Sequence, residues 1–227
     1  MKIMKAILGK KTSQTQVINE KGMRVPVTKL TTASCILVNV KWPQVDGYAA
    51  IQLGFGITKK IVKSVAGQYI KAGKKTPLLH LKEFRFEAND KTIQKIDEEK
   101  KTGIQLGETK LFIGDEVKPA VLFKIGDLVD VSATAKGKGF QGVVRRHKFS
   151  GGPRTHGQSD RERAPGSIGS GTTPGRVFKG RRMAGRMGGG RKTVKNLHVV
   201  QVADESMTVS GLIPGATGAL VEVRSLS

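Results

Sequence analysis

Apolar residues in this chain fall in short runs that alternate with polar residues or form brief continuous stretches, with turn residues between them. Short runs of this kind, rich in β-branched residues, are typical of β-strands. The predicted strands are Ile3–Leu8, Gln14–Ile18, Arg24–Leu30, Cys35–Val40, Tyr48–Leu53, Val117–Phe123, Leu128–Ala135, Val194–Val202, Met207–Ser210 and Leu220–Arg224. Many short strands around a single core favour an antiparallel barrel, so the predicted fold class is mainly β.

Apolar residues at helical spacing occur in one segment, where they predict a short helix over residues 57–71. The residues that carry this spacing are Ile57, Ile61, Val62, Val65 and Tyr69. Residues 87–116 then hold 8 of the 18 acidic residues, which suits a surface that faces solvent. We therefore expect residues 57–116 to form a mixed helical insertion.

Positive charge and glycine are concentrated in residues 136–195. This segment holds 16 of the 40 Lys and Arg residues and 15 of the 29 glycines, but it has no leucine and only two acids, Asp160 and Glu162. It cannot build an apolar core of its own. The whole chain carries a formal net charge of +22. This pattern favours a polyanionic partner that orders the segment on binding, and nucleic acid is the leading candidate.

These patterns divide the chain into five parts. We expect residues 1–56 to form the first part of the barrel, 57–116 the mixed helical insertion, 117–135 further barrel strands, 136–193 a basic extension rich in Gly and Arg that binds RNA, and 194–227 the last part of the barrel.

Several classes of site are excluded by what the sequence lacks. Cys35 is the only cysteine, so neither a disulfide framework nor a cysteine zinc site can form within the chain, and no histidine has a second His or Cys at metal-ligand spacing. A triad of Ser159, His156 and Asp160 would lie on a flexible loop without rigid support.

There is no signal peptide and no long apolar window, so we expect a cytoplasmic protein. A membrane-surface role would need an amphipathic helix near the basic segment, and none is found.

Two glycine motifs resemble nucleotide-binding loops. Residues 137–142 match GxGxxG after a predicted strand, but a dinucleotide site also needs a helix directly after the third glycine and a second parallel strand, which the next residues do not offer. We favour close approach of this backbone to RNA, with a flexible glycine turn as the alternative. Residues 67–76 resemble a P-loop but have one residue too many between the glycines and Lys75 in place of the hydroxyl. A helix C-terminus capped at Gly73 explains them better.

What remains in the basic segment is a set of cations spread among glycines. Arginine binds phosphate through two nitrogens at once, and glycine lets the backbone come close to it. The predicted RNA-binding residues are Lys136, Lys138, Arg145, Arg146, Lys148, Arg154, His156, Arg161, Arg163, Arg176, Lys179, Arg181, Arg182, Arg186, Arg191 and Lys192. Aromatic residues are sparse here, so the pattern indicates packing into folded RNA by charge and shape rather than stacking along a single strand.

Specific motifs follow one another in and around this segment. They are Lys136-Gly-Lys-Gly-Phe-Gln-Gly142, Thr155-His-Gly157, Pro165-Gly-Ser-Ile-Gly169, Thr173-Pro-Gly175 and Val177-Phe-Lys-Gly-Arg-Arg-Met-Ala-Gly-Arg-Met-Gly188. In this order they closely resemble the bacterial large-subunit (50S) ribosomal protein of the universal L three family. Weaker matches at residues 25–28, 50–52, 83–85 and 214–218 extend the resemblance over nearly the whole chain.

The resemblance implies a six-stranded antiparallel barrel of the translation-protein type, with a small helical insertion and a long basic extension loop. It implies a structural protein, not an enzyme, that binds 23S ribosomal RNA, supports early subunit assembly and contacts neighbouring large-subunit proteins in the cytoplasmic ribosome. We expect no cofactor, metal, membrane or small-molecule substrate, and no homo-oligomer. A general basic nucleic-acid packaging protein is the alternative, and its binding would tolerate shuffled basic residues.

The resemblance also concerns the tip of the extension loop. It implies that Gly169, Ser170, Gly171 and Thr172 approach the peptidyl transferase centre of the ribosome. Thr172 stands where many bacterial relatives carry a methylated glutamine, so that modification cannot occur at this position.

Overall fold

The structure is a computed structural model that describes residues 5–19, 21–73, 77–86, 93–98, 101–106 and 109–225. Its strands are β1 (Ala6–Ile18), β2 (Arg24–Thr31), β3 (Cys35–Lys41), β4 (Ala50–Ile57), β5 (Leu78–Arg85), β6 (Ile93–Glu98), β7 (Lys101–Leu106), β8 (Thr109–Phe112), β9 (Leu128–Thr134), β10 (Phe140–Gln141), β11 (Gly185–Arg186), β12 (Arg191–Val202), β13 (Ser206–Ser210) and β14 (Leu220–Ser225). Its helices are α1 (Pro43–Asp46), α2 (Lys63–Lys71), α3 (Pro119–Leu122) and α4 (Val143–His147). The predicted mainly β class is confirmed. Within the described ranges, no helix is long and apolar enough to cross a membrane.

The chain forms two compact units. One contains the described residues up to Thr134 together with those from Arg191 onward, and we name it the barrel unit. The other runs from Ala135 to Gly190, and we name it the extension unit. The extension unit contains only the short elements β10, α4 and β11, so most of its backbone is irregular.

Six strands of the barrel unit close into a barrel, in the order β1, β14, β9, β12, β13 and β2. Every neighbouring pair is antiparallel, and β2 pairs back with β1. Closure pairs both edges of each strand, which satisfies their backbone hydrogen-bonding groups. The predicted six-stranded antiparallel barrel is confirmed.

The barrel core follows from the alternation of apolar residues along the strands. In β14, Val221 and Val223 are buried while Arg224 is exposed. Val131 of β9 stands in register between Val223 on one neighbouring strand and Val194 on the other. Each fully buried side chain of this size contributes roughly 1.5–3 kcal/mol by leaving water. Cross-strand packing therefore supplies the stability of the barrel.

The strands between β2 and β9 do not join the barrel. β3, β4 and β5 form one three-stranded sheet, and β6, β7 and β8 form another. This corrects the expected barrel segment 1–56, because β3 pairs with β4, and β4 pairs with β5 on its other edge. A continuous apolar run indicates a strand but not the sheet in which the strand pairs. Among its described residues, the region 57–116 contains one helix, α2, and the strands β5 to β8.

Some element boundaries also differ from prediction. The two predicted strands in residues 3–18 form a single strand, β1, whose described part is irregular between Lys11 and Ser13. The helix predicted over 57–71 begins only at Lys63, because Ile57 still belongs to β4, where it pairs with Leu78. The end predicted near Gly73 is confirmed: this glycine has φ +71° and its N–H donates to the Ile70 carbonyl at 2.9 Å.

The segment 117–123 contains the four-residue helix α3 (Pro119–Leu122) instead of the predicted strand. Pro119 opens α3 at its first turn, where a proline N–H is not needed. Val117, Leu122 and Phe123 are all buried. The apolar side chains of this segment therefore fill the core from a helical turn. An apolar run of this length is compatible with either a helical turn or a buried strand, so the sequence pattern could not separate the two.

Candidate nucleic-acid interface

The extension unit begins and ends as a short antiparallel ribbon. β10 pairs with β11, with Phe140 opposite Arg186. The Lys138 N–H donates to the Met187 carbonyl and the Met187 N–H to the Gly139 carbonyl, each at 2.9 Å. Backbone hydrogen bonds therefore hold the two ends of the basic segment side by side.

Gly188 allows the two sides of this ribbon to approach closely. Its φ is +72°, and a Cβ placed there would lie 2.3 Å from the Lys136 carbonyl oxygen. A side chain at this position would combine a strained backbone with a steric clash. This glycine is required by the local geometry of the ribbon.

Helix α4 ties the ribbon to a more distant part of the unit. Arg146 donates from Nη1 to the Met183 carbonyl at 2.6 Å, and His147 Nε2 lies 3.0 Å from the same oxygen. Because a carbonyl oxygen only accepts, His147 must carry its proton on Nε2 to bond there. Arg146 is also half-buried. The structure thus gives this predicted RNA-binding residue a structural contact inside the protein.

The loop between residues 150 and 164 closes on itself through backbone contacts. The Gly152 N–H donates to the Glu162 carbonyl at 2.8 Å, and Arg154 Nε lies 2.8 Å from the Glu162 carboxylate. With its amide oxygen facing the backbone, Gln158 accepts from the N–H groups of Arg161 and Glu162, each at 3.1 Å. This loop is ordered without an apolar core.

The predicted tip, residues 169–172, is fully exposed. No cation or acid stands between residues 165 and 175. The tip's base is held by polar contacts: Ser167 Oγ donates to the Gly169 carbonyl at 3.0 Å, and Arg181 donates to the Ser167 carbonyl. The guanidinium of Arg176 lies 5.7 Å from the ring centre of Phe178. A neutral, exposed turn is therefore bordered by cations.

All of the predicted RNA-binding residues except Arg146 are exposed. Arg191 and Lys192 lie on β12, where they pair with Thr134 and Ala133 of β9, so they belong to the barrel unit. Among the described residues, only Arg154 and Arg191 of this set form ion pairs, with Glu162 and Glu222. The other cations of this set do not pair with any carboxylate of the described residues, so they can neutralise an external anion.

Charged residues of the barrel unit are arranged differently, in mixed clusters. Glu222 pairs with Arg191 and, at 3.5 Å, with Lys82. Lys41 lies 2.8 Å from Glu83, which also accepts a hydrogen bond from the Tyr48 hydroxyl at 2.9 Å. The hydrogen bond from Lys41 is the main reason that the pKa of Glu83 is lowered, and the same bond raises the pKa of Lys41.

The motifs that resembled other sites do not form those sites. A five-residue helix, α4, does follow Gly142, contrary to expectation, but β10 pairs antiparallel with β11 instead of entering a parallel sheet. Ser159 donates to Asp160 at 3.3 Å, and the described contacts include none from either residue to His156. No group of three His, Cys, Asp or Glu side chains that could hold a metal occurs among the described residues. Residues 74–76 of the P-loop-like motif lie outside the described ranges.

Sequence reasoning missed the residues that shape the extension unit. The Met183 carbonyl and the Gln158 amide hold loops together, yet neither residue carries charge or stands in a periodic pattern. Gly151 and Gly188 adopt the left-handed region, as several other glycines of this unit do, so the presence of glycine did not single out these two positions. No local pattern identifies such contacts.

The chain is similar to known proteins over nearly its whole length. The family model described as Ribosomal protein L3 matches residues 39–216. The protein named Large ribosomal subunit protein uL3 of Herpetosiphon aurantiacus is 45% identical over 225 residues, which cover 97% of this chain and 96% of the relative. The protein of the same name from Chlorobaculum parvum is 46% identical over 232 residues, covering 98% of this chain and 99% of the relative.

Proposed function

This chain belongs to the ribosomal protein L3 family of the large ribosomal subunit, and from that premise we propose that its extension unit binds 23S ribosomal RNA. The protein is a structural component and not an enzyme, and its place is the cytoplasmic ribosome. The observation that carries the proposal is the set of exposed cations in residues 136–192, most of which have no carboxylate partner among the described residues.

The physical reason is the energetics of unpaired charge. Cations left without counter-charges repel one another, and a polyanion removes that repulsion while releasing its own counterions. Backbone contacts and a few side chains, among them Arg146, Arg154 and Arg181, hold the extension unit, and most of its other cations make no described contact inside the protein. Glycines such as Gly137 and Gly142, with open space around the position of a Cβ, leave room for a phosphate to reach the backbone.

Salt dependence tests this proposal. The affinity of the full chain for 23S ribosomal RNA should fall by about 10³-fold or more between 50 and 200 mM salt, because each phosphate contact releases a counterion. Arg145→Ala should reduce the slope of log affinity against log salt by about one unit. Arg145 suits this test because it is exposed and has no partner among the described contacts. A flat salt response would contradict the proposal.

Competition separates this function from general packaging of nucleic acid. We expect 23S ribosomal RNA to retain the protein in the presence of excess 16S ribosomal RNA of the same charge density. Equal displacement by both RNAs would favour the packaging alternative. The same sample should sediment as a monomer when RNA is removed, as expected for a protein that does not form homo-oligomers.

We further propose that the exposed tip lies near the peptidyl transferase centre and that the protein supports early assembly of the subunit. Gly171→Asp or Thr172→Arg should leave incorporation unchanged but alter peptide-bond formation in a single-turnover assay. Thr15→Arg, at an exposed position of β1, is the matched control. Reconstitution without the protein should stall at an early particle. Unchanged peptide-bond formation by fully occupied ribosomes with either tip variant would remove the tip from this role.

A further inference from the structure

The extension unit contains a pocket that the proposed function does not yet use. It measures about 650 Å³ and is widely open to solvent. Three segments of the unit line it: residues 147–152, part of residues 158–166, and Arg182. Ligand-binding pockets of proteins commonly lie between roughly 300 and 1,000 Å³. The volume is therefore enough for a single nucleotide.

Two segments beside this pocket pack closely against each other. A Cβ at Gly151 would lie 2.2 Å from the Glu162 carbonyl oxygen, and one at Gly152 would lie 3.1 Å from the Arg161 carbonyl oxygen. Gln158 binds the backbone N–H groups of the same two residues. These contacts pack residues 151–152 directly against residues 161–162. The pocket is thus formed by the protein itself and does not depend on a ligand to bring its walls together.

The bond between helix α4 and the Met183 carbonyl completes the opposite wall. Arg146 and His147 both bind that carbonyl, and Arg182 is the residue next to it in sequence. Lys148 directly follows α4, and both Lys148 and Arg182 line the pocket. Two parts of the chain that are distant in sequence contribute cations to one pocket.

The charge of the lining selects an anion. Lys148, Arg161 and Arg182 line the pocket, and no carboxylate-bearing residue is among the lining residues. Two acids flank Arg161 in sequence and neither lines the pocket: Glu162 pairs with Arg154, and Asp160 accepts a hydrogen bond from Ser159. Three cations without a described carboxylate partner line this one pocket, and they suit a negatively charged phosphate.

An aromatic surface lies in the same pocket. Phe149 is half-buried, and its ring centre is 6.0 Å from that of His147 at an angle of 44°. Because His147 is fixed by the Met183 carbonyl, it supports one side of the Phe149 ring. Unpaired bases in RNA complexes commonly stack on aromatic side chains held in this way.

We propose that this pocket binds one unpaired nucleotide of the ribosomal RNA, with its phosphate at Lys148, Arg161 and Arg182 and its base stacked against Phe149. This inference rests on the proposed function, since the nucleotide belongs to the RNA that the extension unit binds. It adds a site of defined chemistry to a segment that otherwise binds by charge and shape. A free nucleotide has the same chemistry, so the test must separate the two sources.

Substitution of Phe149 tests the stacking contact. Phe149→Leu should weaken binding to full-length 23S ribosomal RNA by about 5- to 100-fold, whereas Phe149→Trp should stay within about threefold, because stacking needs an aromatic face. Phe86→Leu and Phe86→Trp are the matched controls, since Phe86 is half-buried like Phe149 but belongs to the barrel unit and lies outside the pocket. Equal losses of RNA affinity for Phe149→Leu and Phe86→Leu would overturn the pocket assignment.

A chemical readout then identifies the nucleotide. With the wild-type full chain bound, acylation of ribose 2′-hydroxyls should change sharply at one unpaired position, and Phe149→Leu should abolish that change while the remaining footprint persists. Circular dichroism of each variant checks that it is folded, and Phe149→Trp must restore the signal. A footprint identical for Phe149→Leu and wild type would count against the site.

Two further arms separate the possible failures. AMP without RNA should show no saturable binding below about 1 mM, since a single nucleotide lacks the flanking phosphate contacts. Saturable AMP binding that 23S ribosomal RNA does not displace would assign the pocket to a free nucleotide instead. If wild-type protein shows no salt-dependent RNA binding at all, the proposed function itself fails. If wild type binds RNA with the expected salt dependence but Phe149→Leu binds with the same affinity, the pocket inference alone fails.

Discussion

The barrel unit and the extension unit of this protein are ordered by different forces. In the barrel unit, side chains such as Leu30, Val131 and Val223 are completely buried, and cations such as Lys41 and Lys82 sit beside carboxylates. In the extension unit, the described buried hydrophobic residue is Val143, and loops are held by carbonyl groups, glycines and a few polar side chains. Apolar burial organises one unit, and backbone contacts organise the other.

The difference shows how one chain can contain a stable domain and a binding surface at once. Burying cations in a protein core carries a large desolvation penalty, so a segment made mainly of cations and glycines, with no leucine, cannot supply a large core of its own. The extension unit resolves this by using main-chain hydrogen bonds for its shape. Its charge then remains available to a partner. The following predictions test this division, from the largest expected effect to the smallest.

Replacing residues 137–189 with a short Gly-Ser linker should abolish high-affinity binding to 23S ribosomal RNA, by about 10³-fold or more at low salt. The barrel unit should stay folded, because the buried apolar strands all lie outside the replaced segment. The linker can be short, since the Ala135 N–H donates to the Gly190 carbonyl at 2.9 Å. Binding is measured by filter retention and folding by amide exchange. An unfolded barrel unit would contradict the division.

Leu30→Ala should destabilise the barrel unit by about 2–5 kcal/mol, since it leaves a cavity at a fully buried position of β2. Leu128→Ala is the control, because Leu128 is 37% exposed and its truncation should cost less than about 1 kcal/mol. Urea unfolding followed by circular dichroism gives both values. An equal loss of unfolding free energy for the two substitutions would contradict the assignment of Leu30 to the barrel core.

Gly188→Ala should disturb the extension unit and leave the barrel unit unchanged. The left-handed backbone and the approach to the Lys136 carbonyl together should lower RNA affinity by about tenfold. Gly190→Ala is a close control, because a Cβ there meets nothing within 4 Å. Faster amide exchange at Lys138 and Met187 should accompany the Gly188 change. If both alanine variants bind RNA alike, the ribbon does not depend on this glycine.

Glu83→Gln should cost about 0.5–1 kcal/mol of stability at neutral pH, because it removes a partly exposed ion pair with Lys41. The pKa of Glu83 is lowered from its ordinary 4.5. The pair therefore stabilises the fold above that value, and this stabilisation is lost as the pH falls through the lowered pKa. The pKa of Lys41 is raised, so at the alkaline end the contribution is lost only as the pH rises through that raised value.

Measuring unfolding of wild type and Glu83→Gln across the acid range checks this sign. The difference in free energy of unfolding between wild type and Glu83→Gln should shrink as the pH falls and should reach its plateau near neutrality. Glu205→Gln is the control, since Glu205 is exposed and its side chain has no described partner. A difference that grows toward acid pH would contradict the assigned pairing.

Much of the barrel was predictable from local patterns, and the errors have a common cause. Alternation located β2, β9, β12, β13 and β14 to within a few residues, because the two-residue period of a strand is a property of adjacent positions. The apolar run at residues 117–123 was assigned to a strand but forms α3, since a short apolar run fits either a buried strand or a helical turn. Pairing partners were not predictable in the same way.

Composition and local spacing by themselves determined that the protein is mainly β and that its charge is concentrated in one coreless segment, because both are properties of neighbouring residues. Only the tertiary structure decided which strands close the barrel and which pair in a separate sheet. It also decided that Arg146 and His147 bind the Met183 carbonyl, 37 and 36 residues away, and that Lys148, Arg161 and Arg182 line one pocket. These contacts depend on the path of the whole chain between the partners, which no window of local sequence contains.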